Sequence, residues 1–448
     1  MTKIYTVQEA KKTILQRQSI LEMGATQKVK ESIKKIFGKE LTPYEVVNII
    51  IEDVRTTGDQ AVRKWTKKID KVDISENIEI PTETLRVALN DLSKEVKQAL
   101  IMARNRIREF HTKEPIESWI TTKLGGRLGQ LIRPIQKIGV YVPGGTAPLP
   151  SSLLMTAIPA ILAGSEEIAI TTPPQKDGTI NPVILATCEL LQKMTSNTNI
   201  RLFRVGGAQA IAALAFGTET ISKVNKIFGP GNIFIALAKQ AVFGYVGIDG
   251  IAGPTEAMIL ADKTASSELV AADLLAQAEH YVLAIPILIT PDAKLAKQVQ
   301  VEIQQQIHKL SRQEIIRKSL KKQGGIVLTK SMKEGVELIN NFAPEHLSII
   351  TINPQEFVND IKNAGGIFLG EISCEVIGDY VAGPSHVMPT GGSAKFASPL
   401  SVLDFVKRIS LIELDNKTVG KISTAAEIIA RKESLTAHAE AARRRKNG

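Results

Sequence analysis

The chain has 448 residues, of which 44% are hydrophobic, 23% charged and 4% aromatic, and its formal net charge is +10 at pH 7. This length indicates two or more domains, and the apolar content excludes global disorder. Basic residues are scattered apart from a cluster at 443–446, and they do not interleave with aromatic residues as a nucleic-acid stacking surface requires, so we expect no nucleic-acid partner.

The first third of the chain is predicted to be helical. Residues 30–38, 44–70 and 94–114 carry apolar side chains three and four positions apart, which is the spacing of an amphipathic helix. The period changes at Lys137, where KIGVYVPGG indicates a short strand that ends in a Pro-Gly-Gly turn.

Two series of alternating strands and helices follow. From Lys137 to about Gly253, helical segments separate the apolar runs EEIAITTPP, IRLFRVGG and VNKIFGPG, and this alternation predicts a parallel sheet. A second series runs from AMILAD to HLSIIT, and the sequence becomes helical after Pro399. The two series are either duplicated units or unrelated ones.

The cellular setting follows from what the sequence lacks. Two distant cysteines, Cys188 and Cys374, provide neither a disulfide framework nor a four-thiolate zinc site. The N-terminus lacks the apolar core of a signal peptide, and proline, glycine and glutamate interrupt the most apolar stretch, residues 152–170. We therefore expect a cytoplasmic protein that does not associate with membranes.

Two glycine turns lie between a predicted strand and a predicted helix, VGGAQ at 205–209 and FGPGN at 228–232. Glycine lets the backbone approach a ligand closely, and a helix N-terminus offers free N–H groups to phosphate oxygens. Neither turn completes the GxGxxG fingerprint, and no acidic residue follows at the usual offset. Each turn is either a phosphate-binding site or an ordinary strand–helix connection.

Four of the six histidines lie in segments that carry other polar candidates. Gln277 and His280, three apart at a helix end, form either the start of a divalent-metal site or a polar helix terminus. Glu345 and His346 precede a strand and form either an acid–base pair or two surface residues.

The remaining two histidines of this group lie further along the chain. A loop rich in glycine and proline presents Asp379 and His386. Near the C-terminus, Glu433 and His438 are five residues apart, which places them on different helix faces. His111 and His308, on polar helices, are predicted to be solvated.

Taken together, these segments resemble the histidinol dehydrogenase family. The resemblance runs from about Gly139 to His438 and keeps the order of its blocks, which are GVYVPGGTAPLPSSLLM, VGGAQAIAALAFGTE, FGPGN, AGPTE, LLAQAEH, APEHL, GDYVAGPSHVMPT and ESLTAH. The first hundred residues carry only a general helical likeness.

The resemblance implies a zinc site, a base and a cofactor. Its implied zinc ligands are Gln277, His280, Asp379 and His438, a set of one amide, one carboxylate and two imidazoles that suits a borderline divalent ion. The implied general base is His346, and the implied water-activating residue is Glu345. The implied NAD contacts are Tyr141, Gln209 and Asn232, and the implied substrate contacts are Thr255, Gln277, His280, His346, Asp379, Glu433 and His438.

The reaction that the resemblance implies is an NAD-dependent four-electron oxidation of L-histidinol through L-histidinal to L-histidine, the final step of histidine biosynthesis. One zinc ion per subunit would position the substrate. The family is homodimeric, and His438 is expected to reach the active site of the other subunit. Two positions depart from the family: Thr255 replaces a usual serine, and the sequence after His280 is unusually apolar.

The predicted fold class is α/β, with two Rossmann-like parallel-sheet domains that lack a standard GxGxxG fingerprint and with small helical segments at both ends. The predicted division begins with an N-terminal helical segment, residues 1–30. A discontinuous first α/β domain with the metal and catalytic residues comprises 31–140 and 255–400, and a second α/β domain that binds NAD comprises 141–254. A helical tail, 401–448, ends the chain.

Three alternatives remain at this stage. They are a related zinc- and NAD-dependent alcohol dehydrogenase that acts on a sulfonated diol, a basic nucleic-acid-binding protein, and a metal-stabilised dimer without activity. Glu433 and His438 favour the histidinol interpretation over the first alternative, because the resemblance ties both to recognition of that substrate. The second alternative gives no reason for the set Gln277, His280, Asp379 and His438.

Overall fold

Two parallel sheets organise the fold of the chain. The computed structural model describes residues 2–17, 27–74, 77–144 and 148–446. The elements before the first of these sheets are β1 Ile4–Thr6, α1 Val7–Lys11, α2 Gln27–Phe37, α3 Pro43–Ile69, α4 Thr82–Asp91, α5 Lys94–His111, β2 Trp119–Thr121 and β3 Arg127–Pro134.

A five-stranded parallel sheet forms first along the chain. Its order is β6-β5-β4-β7-β8, so that the first strand in the sequence lies in the middle. The strands are short and almost wholly buried because helices cover both faces. Its elements are β4 Lys137–Tyr141, α6 Pro150–Ala163, β5 Glu167–Thr171, α7 Pro182–Gln192, β6 Asn199–Phe203, α8 Gly207–Phe216, β7 Lys226–Phe228, α9 Ile233–Val242 and β8 Gly247–Ile248.

A six-stranded parallel sheet follows, in the order β1-β11-β10-β9-β12-β13. Its register places His346 opposite both Ala257 and Gly366, at the amino end of the sheet. Its elements after β1 are β9 Glu256–Ala261, α10 Ser267–Ala278, β10 Ile285–Thr290, α11 Ala293–Ile307, α12 Gln313–Lys322, β11 Gly325–Leu328, α13 Met332–Phe342, β12 His346–Ile350, β13 Gly366–Leu369 and α14 Glu375–Tyr380.

The C-terminal part combines a strand with two helices. The strand β14, Val406–Glu413, pairs antiparallel with β3, which in turn pairs with β2. The helices α15, Asn416–Lys432, and α16, Thr436–Arg444, pack against each other. Three short 3₁₀ helices complete the described elements, Pro354–Asp360, Ser393–Lys395 and Val402–Phe405.

The predicted α/β class with two parallel sheets is confirmed by these strand orders. Both sheets follow one rule, since the third, second, first, fourth and fifth strands of each series lie side by side and only the added β1 extends the second. This is the order of the first five strands of the six-stranded Rossmann fold.

The placement of the first hundred residues differs from the predicted division. Helices α2 and α3 share a core with α8 and α9, and α4 and α5 share a core with α6 and α7, so these helices cover the two faces of the five-stranded sheet. The predicted division groups residues 31–140 with the other sheet. Amphipathic periodicity identifies a helix with an apolar face but does not say which sheet that face covers.

The two ends of the chain also differ from the purely helical segments predicted there. Residues Ile4–Thr6 form an edge strand of the six-stranded sheet, and β14 adds a strand to the predicted helical tail. His111, predicted to be solvated, is buried at the end of α5, and its Nδ1 lies 2.7 Å from Glu114 Oε1.

Within the described residues, no helix combines the length and the apolar character that crossing a bilayer would require.

Candidate active site

Imidazole and carboxyl groups meet at the amino end of the six-stranded sheet. Glu345 and His346 lie at the start of β12, and Thr255 and Glu256 lie at the start of the neighbouring β9. Parallel strands bring these chain-distant residues side by side. The left-handed backbone of Ala343, with φ of 55°, ends α13 and turns the chain into this edge.

Glu345 is a buried carboxyl group held by two donors. The Thr255 hydroxyl donates to its Oε2 over 2.7 Å, and the Glu256 backbone N–H donates to the same atom over 3.0 Å. Burial raises the pKa of Glu345 to about 8, and the negative charge of Glu256 adds to this although the two hydrogen bonds oppose it. The carboxyl group therefore exchanges its proton near neutral pH.

His346 is buried among three carboxyl groups. Its Nδ1 lies 3.7 Å from Glu345 Oε2 and 3.6 Å from Glu375 Oε1, and its Nε2 lies 3.7 Å from Asp379 Oδ1. Neither ring nitrogen makes a hydrogen bond within the described part of the chain. Burial lowers the pKa of His346 to about 3, so the ring is neutral and both nitrogens are available to a ligand.

Glu375 and Asp379 lie on α14, four residues apart and thus on one face of the helix. Burial raises the pKa of Asp379 to about 7, and burial together with neighbouring carboxyl groups raises the pKa of Glu375 well above its ordinary value. No ion pair among the described residues joins a lysine or arginine to Glu345, Glu375 or Asp379. Burial thus favours the protonated forms of these carboxyl groups near neutral pH, and a bound cation would favour their ionised forms.

Sequence reasoning did not select Glu375. The signal available was its position four residues before Asp379, but the local sequence does not distinguish this glutamate from the others in the chain. The neighbouring position Glu256 was also missed, although it directly follows Thr255.

Gln277 lies beside this cluster, at the end of α10. One end of its amide group lies 2.7 Å from Thr255 Oγ1 and the other lies 2.5 Å from Glu375 Oε1. His280 follows the same helix end, and desolvation lowers the pKa of its ring, which leaves the imidazole neutral. The apolar sequence after His280 is explained by β10, whose residues begin at Ile285 and are buried.

The structure brings three of the four expected metal ligands to one region but not the fourth. His438 lies on α16, is exposed, and makes no hydrogen bond or ion pair with the described residues. Glu433 ends α15 and is also exposed. Across the described ranges, no group of three or more His, Cys, Asp or Glu side chains is close enough together to hold a metal ion.

The other expected contacts lie at the carboxyl end of the five-stranded sheet. Tyr141 ends β4, Gln209 lies in the first turn of α8, and Asn232 precedes α9, where its Oδ1 accepts from the N–H groups of Phe234 and Ile235. Both glycine turns therefore connect a strand to a helix as predicted. A Cβ atom at Gly229 would collide with the backbone oxygen of Tyr141, so only glycine fits this turn.

Asp70 is a further polar residue at this edge that sequence reasoning missed. It ends α3, and its Oδ2 accepts from Gln209 Nε2 over 3.5 Å. Burial raises the pKa of Asp70 to about 6, and the charge of Asp70 adds to the burial that raises the pKa of Tyr141. Gln209 Oε1 is buried without a partner among the described residues.

The two edges are directly connected. The chain leaves the carboxyl end of β8 at Ile248 and enters the amino end of β9 at Glu256. A second link joins α6 to the acid–base cluster, since Ser152 Oγ lies 3.2 Å from His386 Nε2 and His386 Nδ1 lies 2.6 Å from the backbone oxygen of Asp379. A carbonyl oxygen only accepts, so Nδ1 donates to it and Nε2 accepts from the serine hydroxyl.

These features define a class of two-sheet α/β protein in which a glycine-turn edge on one sheet adjoins an imidazole–carboxyl cluster on the other. Sequence comparison then identifies the family. Residues 38–446 match the histidinol dehydrogenase family, and the chain belongs to that family of oxidoreductases.

Individual relatives agree with this assignment. A histidinol dehydrogenase from Clostridium acetobutylicum is 47% identical over 411 residues, which are 91% of this chain and 94% of the relative. One from Deinococcus radiodurans is 45% identical over 91% of this chain and 92% of the relative. The crystal structure of a histidinol dehydrogenase from Elizabethkingia anophelis superposes with a TM-score of 0.88 at 36% identity, covering 99% of this chain and 98% of that one.

Proposed function

We propose that the chain oxidises L-histidinol through L-histidinal to L-histidine with two molecules of NAD. The observation that carries this proposal is the buried, neutral His346, whose two free ring nitrogens lie among three carboxyl groups. A base for the alcohol and a carboxyl group for water activation are the two groups that this sequence of steps requires.

His346 is the proposed base of the first step. Its low pKa keeps the ring unprotonated before the substrate arrives. When it takes the hydroxyl proton while hydride leaves the carbinol carbon, the carboxyl group of Glu375, 3.6 Å from Nδ1, stabilises the imidazolium.

Glu345 is the proposed base of the second step. With a pKa near 8, it accepts a proton from water as that water adds to the aldehyde carbon. Water addition with loss of this proton leaves the hydrate as its anion, which then loses hydride to the second NAD and its remaining hydroxyl proton to the site, so that the carboxylate is left. The hydroxyl of Thr255 supports this role because it holds Glu345 Oε2 in place.

The donor set at the cluster fits a zinc ion. Gln277, His280 and Asp379 would hold it together with the partner subunit's His438, and the buried carboxyl groups without a paired cation in the described residues are the observation that favours a cation here. When bound, the ion supplies fixation of the substrate's imidazole and amino nitrogens. The proposed substrate contacts are Thr255, Gln277, His280, His346, Asp379, Glu433 and His438, of which His438 is expected to reach the active site of the other subunit.

The carboxyl edge of the five-stranded sheet is the proposed NAD site. Helix α8 begins at Gly207, and within the described residues its N-cap Gly206 makes no side-chain cap hydrogen bond, which favours phosphate binding at this helix N-terminus. Tyr141, Gln209 and Asn232 lie at this edge. The short link from Ile248 at the end of β8 to Glu256 at the start of β9 supports this proposal, because hydride transfer requires the cofactor close to the acid–base cluster.

A homodimer is supported by exposed apolar side chains in the C-terminal part. Ile412 on β14 is 70% exposed, Ile428 and Ile429 on α15 are 55% and 59% exposed, and Leu124 beside β3 is 67% exposed. A second copy of the chain would cover such a surface. It would also bring the partner subunit's His438 to a cluster that it does not reach within one chain. A cytoplasmic location and independence of nucleic acid stay predictions.

The test is the yield of NADH per L-histidinol at completion. We expect two equivalents of NADH with L-histidinol. We expect no turnover of a sulfonated diol, because no feature of the site indicates such a substrate. One equivalent would contradict the proposal, because the reaction would then stop at the aldehyde.

A further inference from the structure

We infer that Arg17, in the N-terminal segment, is a positioning residue for Glu345 and that it acts through Glu256 and the turn before Glu345. The inference rests on the proposed function, because it concerns the second oxidation, for which Glu345 activates water. In the sequence, Arg17 is far from every motif that identified the site.

Arg17 forms a buried ion pair beneath the acid–base cluster. One terminal nitrogen of its guanidinium lies 2.6 Å from Glu256 Oε2, and the side chains of the two residues are 19% and 3% exposed. The same nitrogen donates to the backbone oxygen of Ala343 over 3.2 Å, and the guanidinium stacks 3.8 Å from the centre of the Phe342 ring. The fork geometry of arginine allows these contacts at once.

Each of these contacts leads to Glu345. The backbone N–H of Glu256 donates to Glu345 Oε2, and Ala343 lies two residues before Glu345 in a left-handed turn. The second carboxylate oxygen of Glu256 accepts from the backbone N–H of Gly391 over 3.2 Å. Arg17 therefore holds together three segments that are distant in sequence and that surround one catalytic carboxyl group.

The N-terminal segment is anchored so that it can present Arg17. The strand β1 pairs with β11 at the edge of the six-stranded sheet, and Ala10 and Ile14 pack in the same core as β9 and β12. On the far side of the guanidinium lies Gly392, where an added Cβ atom would collide with the guanidinium of Arg17. The position of Arg17 is thus defined from both sides.

Loss of Arg17 would leave Glu256 buried without its cation and would free the Ala343 turn. A buried ion pair that loses one partner destabilises its surroundings strongly. A displacement of Glu345 affects water addition to the aldehyde, whereas His346, which acts on the alcohol, is held independently by strand pairing on both sides of β12.

The experiment compares the two half-reactions from one substrate. Oxidation of L-histidinal by NAD reports the second step, and reduction of L-histidinal by NADH reports the first step in reverse, so substrate binding is common to both assays. Both are measured for the zinc-loaded wild-type protein and for the variants Arg17→Ala and Arg17→Lys. The matched control is Arg201→Ala, which removes another partly buried arginine that pairs with Glu79 at 2.6 Å and stacks on Phe203, on the other sheet.

We expect kcat for aldehyde oxidation to fall about tenfold or more in Arg17→Ala, while aldehyde reduction changes less than about threefold. Arg17→Lys restores part of the loss, and it carries the test alone if Arg17→Ala does not fold. Arg201→Ala leaves the ratio of the two rates unchanged. Equal loss of both activities in the Arg17 variants, or no loss of aldehyde oxidation in them, would overturn the inference. A wild-type protein unable to oxidise L-histidinal would instead overturn the proposed function, and the inference with it.

Discussion

The two parallel sheets share one strand order but place their candidate sites at opposite edges. In the five-stranded sheet the glycine turns lie at the carboxyl ends of the strands, where ligands of open α/β sheets usually bind. In the six-stranded sheet the acid–base cluster lies at the amino ends of β9 and β12. Strand order alone therefore does not decide which edge of a sheet becomes a site.

The difference between the edges is electrostatic. The carboxyl edge of the five-stranded sheet presents the N-termini of α8 and α9, which favour an anion such as phosphate. The amino edge of the six-stranded sheet presents the C-terminus of α10 and the buried carboxyl groups of Glu345, Glu375 and Asp379, which favour a cation. Two copies of one topology thus provide sites of opposite charge preference.

The largest effect is expected from His346→Ala at the amino edge. Because the imidazole is the proposed proton acceptor, turnover of L-histidinol should fall about a thousandfold, while NAD binding at the other edge stays unchanged. Steady-state kinetics and NAD titration by fluorescence measure the two quantities. Weakened NAD binding of similar size would show that the two edges do not act separately.

Asp379→Asn should affect the metal rather than the nucleotide. Loss of a residue that hydrogen-bonds to a metal ligand typically lowers metal affinity roughly 10–100-fold. Asp379 is a proposed direct ligand, so we expect its loss to lower zinc affinity by more than this. Zinc content after dialysis against a chelator provides the measurement, and His308→Ala on the exposed end of α11 is the control. Retained zinc in Asp379→Asn would remove this residue from the proposed ligand set.

Gly229→Ala should act on the nucleotide edge alone. The added methyl group collides with the Tyr141 backbone, so KM for NAD should rise about tenfold and zinc content should stay constant. Gly244→Ala is the matched control, since Gly244 has a similar φ of 102° with nothing within 4 Å of the added atom. Equal effects of the two substitutions would point to backbone strain and not to the turn.

The smallest effect concerns stability and pH in the metal-free protein. Since burial raises the pKa of Glu345 from 4.5 to about 8, the folded chain binds this proton more tightly than the unfolded chain. The stabilisation of the folded chain by this bound proton is fully present below pH 4.5 and is lost as the pH rises to about 8. Glu345→Gln, which stays neutral, should therefore match the wild-type Tm at low pH and exceed it by roughly 2–4 °C above pH 8.

The sequence predicts features that depend on local pattern. The two glycine turns, the helix end with Gln277 and His280, and Glu345 with His346 before a strand are all found where their patterns indicate. The residues it missed share a different property, because Arg17, Glu256 and Glu375 acquire their roles only from neighbours far along the chain. Arg17 and Glu256 are 239 positions apart, and no local pattern connects them.

The same reason explains the placement of the first helices. Their periodicity is sufficient to predict α3 and α5, but the cores that those helices join include β4 to β7, which periodicity does not reveal. The prediction for His111 is wrong for a similar reason, since this polar helix end is buried in the folded chain, which its local sequence does not indicate.

The short passage from β8 to β9 limits how the proposed enzyme exchanges its cofactor. Residues 249–255 span at most roughly 25 Å when fully extended. The proposed reaction requires that NADH is replaced by NAD while the aldehyde stays bound. We expect so short a tether to favour movement of turns at the rim over wide separation of the two sheets, which would keep the aldehyde away from bulk water.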